Sequence, residues 1–351
     1  MIRLNMYGWN DRLNQLKQES AYNTLSHGRI AIVHRTCYEV VSDSGLYQCE
    51  LTGNMMYGKS DFELPCTGDW VLFQPFDDSK GIIVGMLPRE RTLYRKRNGT
   101  VAGKQAIASY VDKAFIVQSL DDNFNMRRVE RFMVQILEEN IHPVLILNKA
   151  DLPFDKQETE EAIRHLTRRM PVFFTSIHQP ETVSRLRDSI SEGETVVFVG
   201  SSGVGKSSLV NALCERSVLL TSDISQSTGK GRHTSTRREM VLMDGSGVLI
   251  DTPGIREFGL TVDNPDSLAE MLEISNYAES CRFKDCTHTN EPGCAVLEAV
   301  AEGSLDTKVH ESYLKLKREA WHFSASEHEK RKKEKSFTKL VEEVKRRKAD
   351  S

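Results

Sequence analysis

Eight residues, GSSGVGKS at 200–207, follow the apolar run 195–199 and open SLVNAL at 208–213. Strand, glycine-rich turn and helix start in that order are the context in which such a motif holds a phosphate chain. Gly203 and Gly205 permit backbone angles that a side chain would forbid. The backbone from Gly200 through Ser201, Ser202 and Val204 to Ser208 can therefore turn successive N–H groups inward on an anion. Lys206 is placed to reach the β and γ phosphates and is a candidate catalytic residue, and the Ser207 hydroxyl is placed to ligate the Mg²⁺ that bridges them. A structural glycine turn is the alternative, and the flanking strand and helix speak against it.

The base is specified elsewhere. NKAD at 148–151 follows the apolar strand 143–147. A carboxylate at Asp151 accepts from both N1–H and the 2-amino group of guanine, Asn148 meets the other edge, and the Lys149 stem lies along the ring. Adenine offers neither donor and would leave Asp151 buried and unpaired, which is how a site built on polar contacts rejects an analogue. A solvated loop is the alternative reading of NKAD alone; a phosphate loop in the same chain argues against it. After the strand 247–250 comes DTPG at 251–254, where Asp251 would hold Mg²⁺ through water and the Gly254 amide would sense the γ phosphate. Between them lies TGKGRHTSTR at 228–237, a basic, glycine-rich switch segment that offers Thr234 or Thr236 as a second Mg²⁺ hydroxyl. The residues do not choose between the two threonines.

Base reading precedes phosphate binding here, the reverse of the ordinary GTPase order, and permutation requires only that the old termini lie close together. This order, with GRHTST at 231–236, DTPGIREFGL at 251–260, NKADL at 148–152 and a cysteine/histidine cluster at 281–294, resembles the RsgA family (YjeQ, YloQ) of circularly permuted GTPases. These are bacterial assembly factors of the small ribosomal subunit, and the resemblance covers nearly the whole chain. Ala108 to Asp112 departs from the family's usual entry to the first strand, and TSI at 175–177 is a loose version of its second base-contacting loop, with Ser176 opposite the guanine carbonyl. The resemblance implies a GTPase that binds the small subunit and its rRNA, assists late maturation, and is stimulated by the subunit. An RNA-binding scaffold with guanine nucleotide as a static ligand is the alternative of another class. An ATP-using phosphotransferase is a third, and Asp151 speaks against it.

Hydrolysis needs a group to orient the attacking water. Ile255 stands where Ras-like enzymes place a glutamine and cannot do this. His233, in the switch segment, is the nearest substitute, and the family pattern also has a histidine there. An exposed switch residue or an RNA contact is the other use a lone histidine could have.

The elements that must position these groups read as α/β, with five regions in order. Residues 1–26 are a polar extension with a short helical stripe of Leu13 and Leu16. Residues 27–90 carry five short strands, 29–33, 38–41, 47–51, 69–73 and 81–84, separated by Gly, Asp and Ser. That pattern fits an RNA-binding barrel of either the OB or the SH3-like type, and the family resemblance tips it to OB. Residues 91–110 form a basic linker in which Arg95 and Arg97 are candidates for RNA phosphates, a solvated linker being the bland reading. Residues 111–260 alternate strand and helix, which builds a mostly parallel sheet with ligands at the strand C-termini. Asn148, Ser176, Gly200 and Asp251 all fall there.

In 261–351, a helical region with a helix expected over 265–278, Cys281, Cys286, His288 and Cys294 match a closed structural Zn²⁺ site with no position left for water. Unligated cysteines are the alternative. A helix over 308–323 follows, then a stretch, 329–351, with ten Lys/Arg against five Asp/Glu, readable as an RNA-binding tail or a solvated helix. Net charge is −3, so RNA binding must be local. Seven cysteines, four of them scattered at 37, 49, 66 and 214, point to reduced thiols in a cytoplasmic protein. No apolar stretch follows the first residues to suggest a secretory leader, no run reaches membrane-spanning length, and a monomer is expected.

Overall fold

The computed structural model describes residues 2–60, 62–96, 104–121, 123–167, 169–214, 217–218, 238–251, 268–269 and 272–324. Within it the chain divides into two units, Met1–Gly259 and Leu260–Ser351.

The first unit opens with a short helix, α1 (Asp11–Glu19), started by Asn10, whose side-chain oxygen accepts from the Leu13 N–H. Five strands follow: β1 (Ser26–Val33), β2 (Tyr38–Ser42), β3 (Gly45–Leu51), β4 (Trp70–Asp77) and β5 (Lys80–Met86), with a single helical turn, α2 (Gly53–Met56), after β3. Their side chains alternate as the pleat requires; in β3, Tyr47 and Cys49 are buried while Gln48 and Glu50 are exposed. β1 pairs with β2 and with β4, β2 with β3, β3 with β5 in parallel, and β5 with β4. The path therefore closes in the order 1-2-3-5-4, a Greek-key OB barrel around Ile30, Val40, Cys49, Val71, Phe73 and Ile83.

The stretch expected as a linker is part of a hairpin: β6 (Leu93–Lys96) pairs antiparallel with β7 (Lys104–Ala108). Leu93 is fully buried, which a solvated linker would not allow. Arg91 of this stretch lies 3.1 Å from Asp112, and Arg89, just before it, 2.6 Å from Asp69. Arg95 is exposed, its Nε donating to Gln105 at 2.9 Å, and Arg97 lies outside the described residues.

A sheet covered by helices follows, built from β8 (Lys113–Ser119), α3 (Met126–Glu138), β9 (His142–Asn148), α4 (Lys156–Thr167), β10 (Val172–Thr175), α5 (Pro180–Asp188), β11 (Thr195–Val199), α6 (Lys206–Leu213), β12 (Ser217–Val218), β13 (Glu239–Met243) and β14 (Val248–Asp251). Its order is β10-β9-β8-β11-β14-β13; the first five strands are parallel, and β13 runs antiparallel to β14. α3 packs because Val129, Phe132, Met133 and Ile136 recur at helical spacing on one buried face. One antiparallel pairing, Ile32 with Glu239, joins the barrel to this sheet.

Arg29 of β1 secures the same junction. It is 1 % exposed and donates to the carbonyls of Tyr7 (2.5 Å), Gly68 (2.9 Å), Tyr110 (3.3 Å) and Ser109 (3.4 Å) and to the Thr195 hydroxyl (2.8 Å). The N-terminal extension, barrel and sheet thus share one guanidinium. Burial lowers its pKa to about 10 against the opposing influence of Asp112, so it stays charged at neutral pH.

In the second unit the helix expected over 265–278 is interrupted. Glu273 has φ 62, a left-handed residue that an α-helix does not accommodate, and the helical turn α7 spans only Ser275–Ala278. α8 (Ala295–Ala301) and α9 (Thr307–Ser324) follow. Val296, Ala299, Leu305, Val309, Tyr313 and Leu316 are buried in this unit. The basic tail 329–351 lies outside the described residues. Among the described residues no helix is long and apolar enough to cross a membrane.

Candidate functional site

The phosphate-loop sequence leaves β11 at its C-terminal end, where three positive-φ glycines, Gly200, Gly203 and Gly205, turn it into α6. Two of these positions have no room for a side chain. A Cβ on Gly200 would meet the Val117 carbonyl at 2.4 Å, and one on Gly205 would meet the Asn148 amide at 2.3 Å. Val204 anchors the loop beneath, fully buried with Phe115, Val117, Phe198 and Leu209. Lys206 folds over the loop's mouth, its Nζ 2.7 Å from the Gly200 carbonyl and 2.6 Å from that of Ser201. Ser207 and Ser208 occupy the first turn of α6, and Asp251 ends the neighbouring parallel strand β14.

The base-reading sequence arrives at the same edge from β9, two strands away. Asn148 is 3 % exposed; its Nδ2 donates to the Val204 carbonyl at 2.9 Å and its Oδ1 accepts from Thr175 at 3.1 Å. In a trans peptide the carbonyl and the following N–H point in opposite directions. Holding the Val204 carbonyl therefore aims the Gly205 N–H the other way. Lys149 takes a left-handed backbone conformation, φ 62, and its Nζ lies 2.7 Å from Asp121 Oδ2. Asp151 Oδ1 accepts from the Ser176 hydroxyl at 2.5 Å, and this bond lowers the Asp151 pKa.

Ser176, expected opposite the guanine carbonyl, is 1 % exposed; its N–H donates to Thr182 Oγ1 at 3.0 Å, and its hydroxyl is turned to Asp151.

One group was not singled out from sequence: the segment between β8 and α3. Asp121 accepts from Ser119 Oγ (2.6 Å), from the Asn123 N–H (3.0 Å) and from Lys149. Partial burial acts to raise its pKa, but these bonds prevail and hold it down to about 2. The usable signal was its place, a short polar run leaving a parallel strand at the sheet's ligand end. His233, Thr234, Thr236, Gly254 and Ile255 lie outside the described residues.

The second unit brings Cys281, Cys286, His288 and Cys294 together, one ligand atom from each and all within 4.8 Å of one another. Cys281 Sγ and Cys294 Sγ are 3.9 Å apart, and His288 Nδ1 lies 3.6 and 3.5 Å from them. Tetrahedral Zn²⁺ with thiolate bonds of about 2.3 Å needs sulfurs about 3.7 Å apart, so the donor set and spacing fit that ion. The His288 carbonyl accepts from His310 Nε2 at 2.8 Å, which fixes the backbone of a ligand whose φ is 62.

Comparison with known proteins gives the same picture. The model of the family "RsgA GTPase" matches residues 86–261. The "Small ribosomal subunit biogenesis GTPase RsgA 1" of Bacteroides thetaiotaomicron is 75 % identical, over 99 % of this chain and 98 % of its own length. The "Small ribosomal subunit biogenesis GTPase RsgA" of Methanosarcina acetivorans is 41 % identical, over 89 % of this chain and 84 % of its own. Among solved structures, YjeQ from Thermotoga maritima superposes with a TM-score of 0.64 at 24 % identity, covering 84 % of this chain and 98 % of that one. YloQ, described as a circularly permuted GTPase, gives 0.63 at 25 %, covering 88 % and 99 %.

Proposed function

The chain belongs to the RsgA GTPase family and hydrolyses GTP to GDP and phosphate, and from that premise we propose that it does so on the small ribosomal subunit, in the cytoplasm, during late maturation. The observation that carries this reading is the Asn148–Val204 hydrogen bond: base-reading and phosphate-holding loops, distant in sequence and reversed in order, meet at one sheet edge. A nucleotide laid across them has its guanine at Asp151 and its phosphates over Gly200 to Ser208. Asn148 and Lys149 flank the base, and Ser176 keeps the Asp151 carboxylate in place.

Lys206 exchanges its two carbonyl partners for phosphate oxygens. Ser207 and, through water, Asp251 would hold Mg²⁺, which would supply charge neutralisation to the phosphates. Thr234 or Thr236, the Gly254 amide and His233, which orients water, are assigned from sequence. In the second unit Cys281, Cys286, His288 and Cys294 would hold Zn²⁺ in a structural role, since four protein donors would leave no position for water. Arg95, exposed on β6, together with Arg97 meets rRNA phosphates. The protein acts as a monomer.

GTP favours the subunit-bound form and hydrolysis favours release. Small-subunit affinity is therefore expected to be at least about tenfold higher with a nonhydrolysable GTP analogue than with GDP, a coupling of ordinary size. Equal affinities would replace this reading by that of a scaffold with a static nucleotide.

A further inference from the structure

Along the phosphate loop the peptide direction reverses at one residue. The Ser201 carbonyl points into the mouth, to Lys206 Nζ, but the Ser202 carbonyl points out, to Asn123 Nδ2 at 3.2 Å. Arg128, in the first turn of α3, braces this contact. Its Nη1 donates to Ser201 Oγ at 2.7 Å and to Asn123 Oδ1 at 3.0 Å. Asn125 caps the same turn by accepting from the Arg128 N–H at 3.2 Å, and the Asn123 N–H is tied to Asp121, which also holds Lys149. A hydrogen-bonded path thus runs from the base-reading lysine to the phosphate loop without passing through Asn148.

We propose that Asn123 and Arg128 are positioning residues for the phosphate loop, fixing the Ser202 carbonyl outward so that the Gly203 N–H is aimed at the nucleotide phosphates. The reason is peptide geometry: with the carbonyl held on the α3 side, the following N–H must face the opposite side. Asn148 does the same for the Val204–Gly205 peptide from the base-reading side. Two asparagines on different loops therefore grip alternate peptides. Arg128 is required because a lone asparagine amide could swing away or flip. A charged donor on its oxygen fixes which end faces Ser202, and charge-assisted bonds are the stronger kind.

The inference rests on nucleotide binding by this loop, and the test separates the two. The full-length protein is compared with Asn123→Ala, Arg128→Ala and Arg128→Lys by titration with GDP and by NMR of the GDP complex. The Gly203 amide proton and the bound guanine imino proton are the two signals followed. Asn123→Ala and Arg128→Ala are expected to weaken GDP about tenfold, the net worth of one or two such bonds. The Gly203 resonance is expected to move upfield while the guanine imino resonance stays. Arg128→Lys, which keeps the charge but not the fork, is expected to fall between.

GDP affinity within twofold of the parent and an unmoved Gly203 signal would overturn the proposal. So would Gly203 and guanine signals moving together, the mark of general loosening. A parent protein that failed to bind GDP would instead overturn the reading of the loop itself.

Discussion

On the proposed reading, purine choice rests on one carboxylate, Asp151, and the hydroxyl that holds it. Ser176 donates to Asp151, which leaves the carboxylate's remaining acceptor sites for N1–H and the 2-amino group of guanine. On the edge that faces Asp151, xanthine carries a 2-carbonyl, an acceptor, in place of that amino donor. Asp151→Asn, whose amide offers one acceptor and one donor, is therefore expected to lose GTP affinity by at least about 10²-fold and to gain affinity for XTP, as competition binding would measure. Unchanged preference for GTP would place the base elsewhere. Asp151 was legible because a strand and a four-residue pattern announce it. The turning of Ser176 towards Asp151 was not, since it is a side-chain contact across 25 positions. Asp121, Asn123 and Arg128 were illegible for a related reason: the contacts that tie them to Lys149 and the phosphate loop span 28 to 79 positions in sequence.

At the scale of elements, the strands of the barrel could be read from alternation and turn residues, but their closure could not. Pairing β3 with β5 across the β4 hairpin is a long-range choice that no local pattern records. In the polar extension the stripe of Leu13 and Leu16 was legible, but what it packs against was not. Leu13 is buried, and Trp9 lies edge-on against Trp70 with ring centroids 4.9 Å apart. Arg29 was hidden for a chemical reason, because its acceptors are four backbone carbonyls and a hydroxyl, which carry no sequence signature. Arg29→Met fills most of the volume but leaves the Tyr7 and Gly68 carbonyls and Thr195 unpaired in a dry junction. It is expected to destabilise the first unit by about 3 kcal/mol in denaturant unfolding, the scale for removing one partner of a buried charged network. A change below about 0.5 kcal/mol would show that the junction is held by the apolar contacts alone.

For the whole molecule, the two units have different sources of stability. The first has a buried core running from barrel to sheet, whereas the second has one helical turn, the helices α8 and α9 and four candidate metal-ligand side chains. Metal binding in such a module is folding free energy. A strong chelator is expected to release one Zn²⁺ per chain and remove hydrogen-exchange protection from residues 272–324 while leaving β8 to β11 protected. Retained protection of α8 and α9 after metal loss would contradict a structural role for the ion. The Cys/His cluster and the permuted order were both plain from residue types and spacing, while the break at Glu273 was not, because a left-handed backbone angle at a glutamate leaves no trace in composition. The central claim is that this sheet edge holds GTP and that the small subunit completes the hydrolytic site. It is tested most directly by measuring phosphate release from GTP with and without purified small ribosomal subunits. Turnover is expected to be slow alone and at least about tenfold faster with subunits. A rate that purified subunits leave unchanged would contradict it.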